Sequence, residues 1–201
     1  MKSAGKVKRR SKRGGNATFD GTVICPCSMG SDLTATSSQL AGSISVDAAN
    51  NTIAMGSGGT TIANNYMEYR YKDLEVEWLP HVAPGVSAGG GRVYVAYLDN
   101  PEQITVWLAN TVANNVVSIK TIRGVAVFNA WERFTYKPKL TYRRPWFDVN
   151  LTTTNTVDIL DRSTQGLIVF AAETVGATDV IGTWQCKSRV VLRGYHGSLA
   201  T

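Results

Sequence analysis

From Tyr69 to Leu79 the chain alternates apolar and acidic positions. Leu74, Val76 and Trp78 share one side of an extended strand, while Asp73, Glu75 and Glu77 share the other. Upstream, Tyr69 and Tyr71 fall in the opposite parity. A bulge near Lys72–Asp73 would bring all the apolar and aromatic positions to one face. Pro80 ends the run, since proline cannot donate to a strand ladder. After a Gly/Pro-rich loop over 81–91, Val93, Val95 and Tyr97 are in phase along a second strand, Arg92–Leu98. The last strand, Gly182–Arg193, places Trp184, Cys186, Ser188, Val190 and Leu192 on one side. Thr183, Gln185, Lys187, Arg189 and Arg193 fall on the other. Gly166–Thr174 is apolar on both faces, as expected of a central strand between two packed layers.

Weaker patterns predict strands within Ala17–Cys27 and Gly42–Ala54, around 115–121 and 124–137, and near 155–160. Residues 55–65, rich in Gly, Ser, Thr and Asn, read as a long loop. Asp99-Asn100-Pro101-Glu102 has turn chemistry. Pro101 suits the first position of one short helix reaching about Asn110, with Asp99 or Asn100 as its cap. Eight or nine strands and one short helix predict an all-β sandwich. An eight-stranded antiparallel jelly roll satisfies that strand count. Periodicity alone also admits an immunoglobulin-like sandwich, although the Cys–Trp–Cys spacing of true immunoglobulin domains is absent.

Charge changes this picture, because it is not spread evenly. The 201 residues include 21 basic and 15 acidic side chains, a net of +6. Residues 1–13 hold seven of the basic groups (Lys2, Lys6, Lys8, Arg9, Arg10, Lys12, Arg13) and no acidic one, leaving 14 basic against 15 acidic and a net of −1 on the rest. The sequence divides into a disordered basic arm, 1–15, jointed at Gly14-Gly15, and one folded domain, 16–201. The basic stretch has no apolar run behind it and so does not read as a secretory signal, and no segment approaches the roughly 20 apolar residues of a membrane helix.

Catalytic chemistry finds little support. Cys25, Cys27 and Cys186 form neither a disulfide framework nor a zinc set. His81 and His196 lie in no recognisable nucleophile or metal motif, and Gly89-Gly90-Gly91 leads into a strand, not a phosphate-binding helix. Tyr71, Trp78, Trp107, Trp131, Trp146 and Trp184 are expected as core or interface anchors.

Asn65–Pro80 resembles the strand "N-Y-x-x-Y-R-aromatic-x-x-L-x-apolar-x-aromatic-apolar-P" in coat proteins of small icosahedral plant RNA viruses of the tombusvirus and sobemovirus types. Ala88–Glu102 is similar to the family's Gly-rich loop, strand and acidic turn, and Ile181–Leu192 to its last strand, which opens on an Ile/Val-Gly pair. The resemblance implies a jelly-roll capsid protein, not an enzyme. It implies a many-copy icosahedral shell, T=3 by family default and T=1 for so short a chain, found in the virion and in host cytoplasm during assembly. Genomic RNA is the implied partner, and no membrane is. Seven cations on a flexible arm suit salt-dependent, sequence-indifferent packaging. Arg143, Arg144, Lys187, Arg189 and Arg193 are candidate helpers on the folded domain. The family also binds calcium between subunits, and Asp99 and Glu102 match that place, with no other cofactor expected. The alternative is a non-viral basic-tailed β-sandwich that binds nucleic acid or carbohydrate.

Overall fold

The computed structural model describes residues 19–21, 33–36, 41–47, 61–85, 91–149, 156–173 and 180–195. Its strands are β1 (Phe19–Gly21), β2 (Leu33–Thr36), β3 (Ala41–Val46), β4 (Tyr66–Pro80), β5 (Arg92–Leu98), β6 (Ala126–Asn129), β7 (Phe134–Tyr136), β8 (Phe147–Asp148), β9 (Gly166–Glu173) and β10 (Val180–Tyr195). Helices α1 (Pro101–Ala109), α2 (Val112–Ser118) and α3 (Val157–Ser163), a 3-10 turn at Ile119–Thr121, and a helical stretch at 61–63 within the segment expected as a loop complete the described elements.

These strands occupy eight lanes. β1 pairs with the far end of β10 (Phe19 opposite Leu192) and β2 with its beginning (Leu33 opposite Trp184), so the two follow one another along a single edge. β7 and β8 do the same along the free edge of β4. One sheet therefore runs β1/β2–β10–β4–β7/β8, and the other runs β3–β9–β5–β6, with every pairing antiparallel. From β2 to β5 the chain alternates between sheets, stays in one sheet from β5 to β6, and crosses again before β7, β9 and β10. This is the jelly-roll sandwich the sequence predicts.

The bulge lies where the parity change requires it. Arg189 stands opposite Asp73 and Val190 opposite Tyr71, so Lys72 is the extra residue on β4. Tyr69, Tyr71, Leu74, Val76 and Trp78 consequently all point inward and are buried. The backbone of Tyr71 at the bulge bonds to the Gln165 side chain. The Tyr71 N–H donates to Gln165 Oε1 at 2.8 Å, and Gln165 Nε2 donates to the Tyr71 carbonyl at 3.2 Å. Gln165 is fully buried, and Tyr69 and Tyr97 close around it, the Tyr97 hydroxyl donating to its carbonyl at 2.9 Å. Burial pushes the Tyr69 phenol well above its ordinary range, so it stays protonated and serves here as a fixed donor to Val46 and Ser163.

Between the sheets lies an aromatic core. Trp78 and Trp184 meet edge to face at 5.0 Å, and Phe128 and Phe170 of the second sheet pack on them at 6.0 and 5.6 Å. The Trp78 indole N–H donates to the Ala130 carbonyl at 2.9 Å. Gly182 is required by this packing, since a Cβ there would sit 2.2 Å from the Trp78 ring. The Ile181-Gly182 pair thus has a steric cause.

A second cluster covers the outer side of the four-stranded sheet. Leu167, Val169 and Ala171 of β9 and Tyr94, Ala96 and Leu98 of β5 pack under Ile104, Trp107, Ile119 and Leu160. Opposite residues of the same strands, among them Ile168, Phe170, Val93 and Val95, face the inter-sheet core. The double-sided apolarity expected of this strand therefore holds across β9 from Leu167 to Ala172. This helical layer corrects the expectation of one short helix. The strand expected around 115–121 is α2 and the 3-10 turn. Thr111 caps α2 by accepting from the Asn114 N–H at 3.4 Å, and buried Asn115 donates to the Trp107 carbonyl at 3.0 Å. The strand expected near 155–160 is α3, with Asp158 in its first turn, Arg162 in its last and Leu160 buried. The strand expected over 124–137 is divided. Gly124 has a positive φ of 80°, and β6 and β7 belong to different sheets.

Candidate nucleic-acid and assembly surfaces

The basic arm, with Lys2, Lys6, Lys8, Arg9, Arg10, Lys12 and Arg13, lies outside the described residues, as do Cys25, Cys27 and His196. The described strand that follows the arm in the sequence is β1. β1 begins at Phe19, paired with Leu192 at the far end of β10.

The basic residues of β10 face outward because Leu192, Val190, Ser188 and Cys186 take the core. Across the ladder, each meets an acidic row on β4. Arg193 stands opposite Glu68, Arg189 opposite Asp73 and Lys187 opposite Glu75. Arg193 Nε donates to the Glu68 carboxylate, and Lys187 lies 3.7 Å from Glu75 and 3.9 Å from Glu77. The far edge adds Lys137 on Glu75 at 2.7 Å and Arg133 on Glu77 at 2.6 Å. The Lys137 hydrogen bond holds the Glu75 carboxyl below its usual range. The outer face of this sheet is a lattice of paired charges.

Arg143 and Arg144 are paired as well. Arg143 reaches Asp161 at 2.8 Å and the Thr164 carbonyl at 2.7 Å, and Arg144 Nε reaches Asp161 at 2.8 Å. They tie the segment before β8 to α3. Neither Asp161, their partner, nor Gln165, which anchors the bulge, sits in a sequence motif that marks it.

Beside them is a grouping that spacing alone did not reveal. The Arg193 guanidinium lies over the Trp146 ring at 4.3 Å. Arg70 lies 5.1 Å from the same ring and 5.3 Å from the Tyr142 ring. Arg70 Nη1 donates to the Pro145 carbonyl at 3.4 Å, and Arg70 makes no ion pair among the described residues. Trp146 is thus neither a core residue nor isolated. Trp78, Trp184 and Tyr71 are in the inter-sheet core and Trp107 is under the helical layer, while Trp131 is half-buried outside both clusters.

On the opposite face, α1 and α2 carry no charged side chain from Gln103 to Ile119. Val106, Leu108, Val112 and Val117 are nonetheless exposed there, Val117 to 67%. Asn100 caps α1 by accepting from the Glu102 N–H at 2.9 Å, so Asp99 is not the cap. Asp99 and Glu102 flank that helix start. Among the described residues, no cluster of three or more His, Cys, Asp or Glu side chains is placed to hold a metal. His81 meets Thr183 at 3.2 Å across the end of the β4–β10 ladder. No helix among the described residues is long and apolar enough to cross a membrane.

No protein-family model matches the sequence, and no characterised protein matches it by sequence alone. Solved structures do match. A chain of Cocksfoot mottle virus superposes with a TM-score of 0.66 at 18% identity, covering 98% of this chain and 93% of that one. Mud crab tombus-like virus gives 0.65 at 11% identity, covering 96% of each. Tobacco necrosis virus gives 0.62 at 12% identity, covering 91% and 98%. The fold is that of a viral capsid shell domain. Within this shell-domain fold, the two sheets differ outside the shared core. One carries paired charges and β1, and the other a helical layer with no charged side chain from Gln103 to Ile119.

Proposed function

We propose that the chain is a capsid subunit that self-assembles into an icosahedral shell and packages genomic RNA through its N-terminal arm. The observation that carries this reading is a shell-domain jelly roll, matched over 98% of the chain, in a sequence whose first thirteen residues hold seven cations. Genome packaging needs affinity without base sequence, and counterion release from phosphate supplies it. The rest of the chain is nearly neutral, at −1, so many copies pack without strong mutual repulsion.

The uncharged stretch of α1–α2, from Gln103 to Ile119, supports self-association in particular. Exposed valines and leucines without a single charge among them suit another copy's surface, because no ion has to be desolvated on contact. Asp99 and Glu102 are this subunit's share of an inter-subunit calcium site. Ca²⁺ takes about six to eight oxygen ligands, so a neighbouring copy supplies the others. The product is a virion component, assembled in host cytoplasm.

Expression of the full chain and of a variant lacking residues 2–13 tests the packaging step. Full-length particles contain RNA, and the truncated chain keeps its circular dichroism spectrum but loses most of that RNA. Equal RNA in both would refute a role for the arm. A protein that stays a monomer or dimer would favour the basic-tailed binding module.

A further inference from the structure

The grouping of Arg70, Tyr142, Trp146 and Arg193 has no role in the core. It lies on the outer face of the charged sheet, where neighbouring cations are matched by carboxylates. Arg193 has Glu68, but Arg70 has no carboxylate partner among the described residues and its Nε is buried without a hydrogen bond. Two guanidiniums within about 5 Å of one indole make a locally cationic, aromatic surface. Tyr142 is 49% exposed, with the Arg70 guanidinium 5.3 Å from its ring centroid.

Position adds a second argument. Phe19 pairs with Leu192, the residue before Arg193, so the chain enters the sheet beside this cluster. Five residues separate Arg13 from Phe19, and the six chain steps between them span at most about 21 Å however they are arranged. A polyanion neutralised by the arm is therefore delivered within one arm's reach of the Trp146 cluster. The arm itself holds no Phe, Tyr or Trp in residues 1–15. It can meet phosphates but offers no aromatic ring to a base.

We propose that Tyr142 and Trp146, flanked by Arg70 and Arg193, form a base-stacking platform for single-stranded nucleic acid at the root of the arm. The arm binds phosphates and the platform holds unpaired bases, as aromatic rings beside arginines do for single strands irrespective of sequence. This deepens the proposed packaging function and rests on it for the identity of the ligand.

The test measures anisotropy of a labelled ten-nucleotide uridine strand, and of an abasic strand of equal length and charge, bound to the full chain. The uridine strand binds roughly fivefold tighter or more. Tyr142→Ala brings that ratio to near one and leaves abasic affinity unchanged, while Arg193→Gln weakens both strands and reduces the salt slope by about one. Equal wild-type affinity for the two strands, or a preference untouched by both Tyr142→Ala and Trp146→Leu, overturns the platform. In a parallel measurement, a 4-thiouridine strand cross-links to peptides containing Tyr142 or Trp146. Adducts confined to other segments, with Tyr142 shielded by a neighbouring copy in empty particles, overturn it too. Particle formation is scored separately by sedimentation. Base preference without particles keeps the platform and removes the capsid reading; particles without base preference do the reverse.

Discussion

The two outer faces of this sandwich solve opposite problems with the same core between them. On the β10–β4 sheet the outward positions are charged, and each acidic side chain of the ladder has a basic one across from it or beside it. On the β9–β5 sheet Leu167, Val169, Ala171, Tyr94, Ala96 and Leu98 face outward under the helices, with Glu173 at the margin paired to Lys120, and α1–α2 carry no charge over 103–119. A lattice of neutralised charges is comfortable in water. Uncharged helices displaying Val106, Leu108, Val112 and Val117 are better covered. The difference separates a charged face compatible with solvent from an uncharged face better suited to burial.

The most severe way to break the comparison is to remove what both faces share. Trp184→Ala deletes a fully buried ring and costs about 3–5 kcal/mol, read as a lowered denaturant midpoint with loss of both assembly and binding. Gln165→Leu is next. It leaves the Tyr71 N–H and carbonyl at the bulge unpaired and destabilises by about 2–4 kcal/mol, again by denaturation. Val117→Asp sharpens the comparison because it acts on one face only. The side chain is exposed, so stability moves by less than about 0.5 kcal/mol, while sedimentation shows particle formation lost.

Lys137→Met is the gentlest. Lys137 is exposed and its partner Glu75 partly so, so water screens the pair and stability at neutral pH moves least of all the variants. The Glu75 carboxyl is depressed in the folded chain, so its contribution is present above the ordinary carboxylate range and fades as pH falls through the folded value. Acid titration of the variant shows a shallower loss of stability below about pH 4.5 than the parent chain.

Much of the charged face was legible. Alternation in Tyr69–Leu79 and Gly182–Arg193 fixes which residues point inward, and the parity change at Lys72–Asp73 locates the bulge before any coordinates. The helical layer was less legible because its segments are rich in Val, Thr and Ile, which favour strands by local propensity. Tertiary burial of Asn115, Ile119 and Leu160 and a cap at Thr111 decided in favour of helix. The partners of the basic residues were not legible at all. Asp161 is 17 residues from Arg144, and Glu68 is 125 from Arg193; only the fold brings them together. The same holds for Arg70 and Arg193, which lie on strands remote in sequence from the Tyr142–Trp146 segment they flank.

The central claim is that this chain builds a shell, and the mass of the purified full-length protein tests it most directly. Sedimentation with electron microscopy should show closed particles of many copies of the 21.7 kDa chain, megadaltons in total, with the image giving the T number. A protein that sediments only as one or two copies under every condition of salt and added RNA would contradict the account.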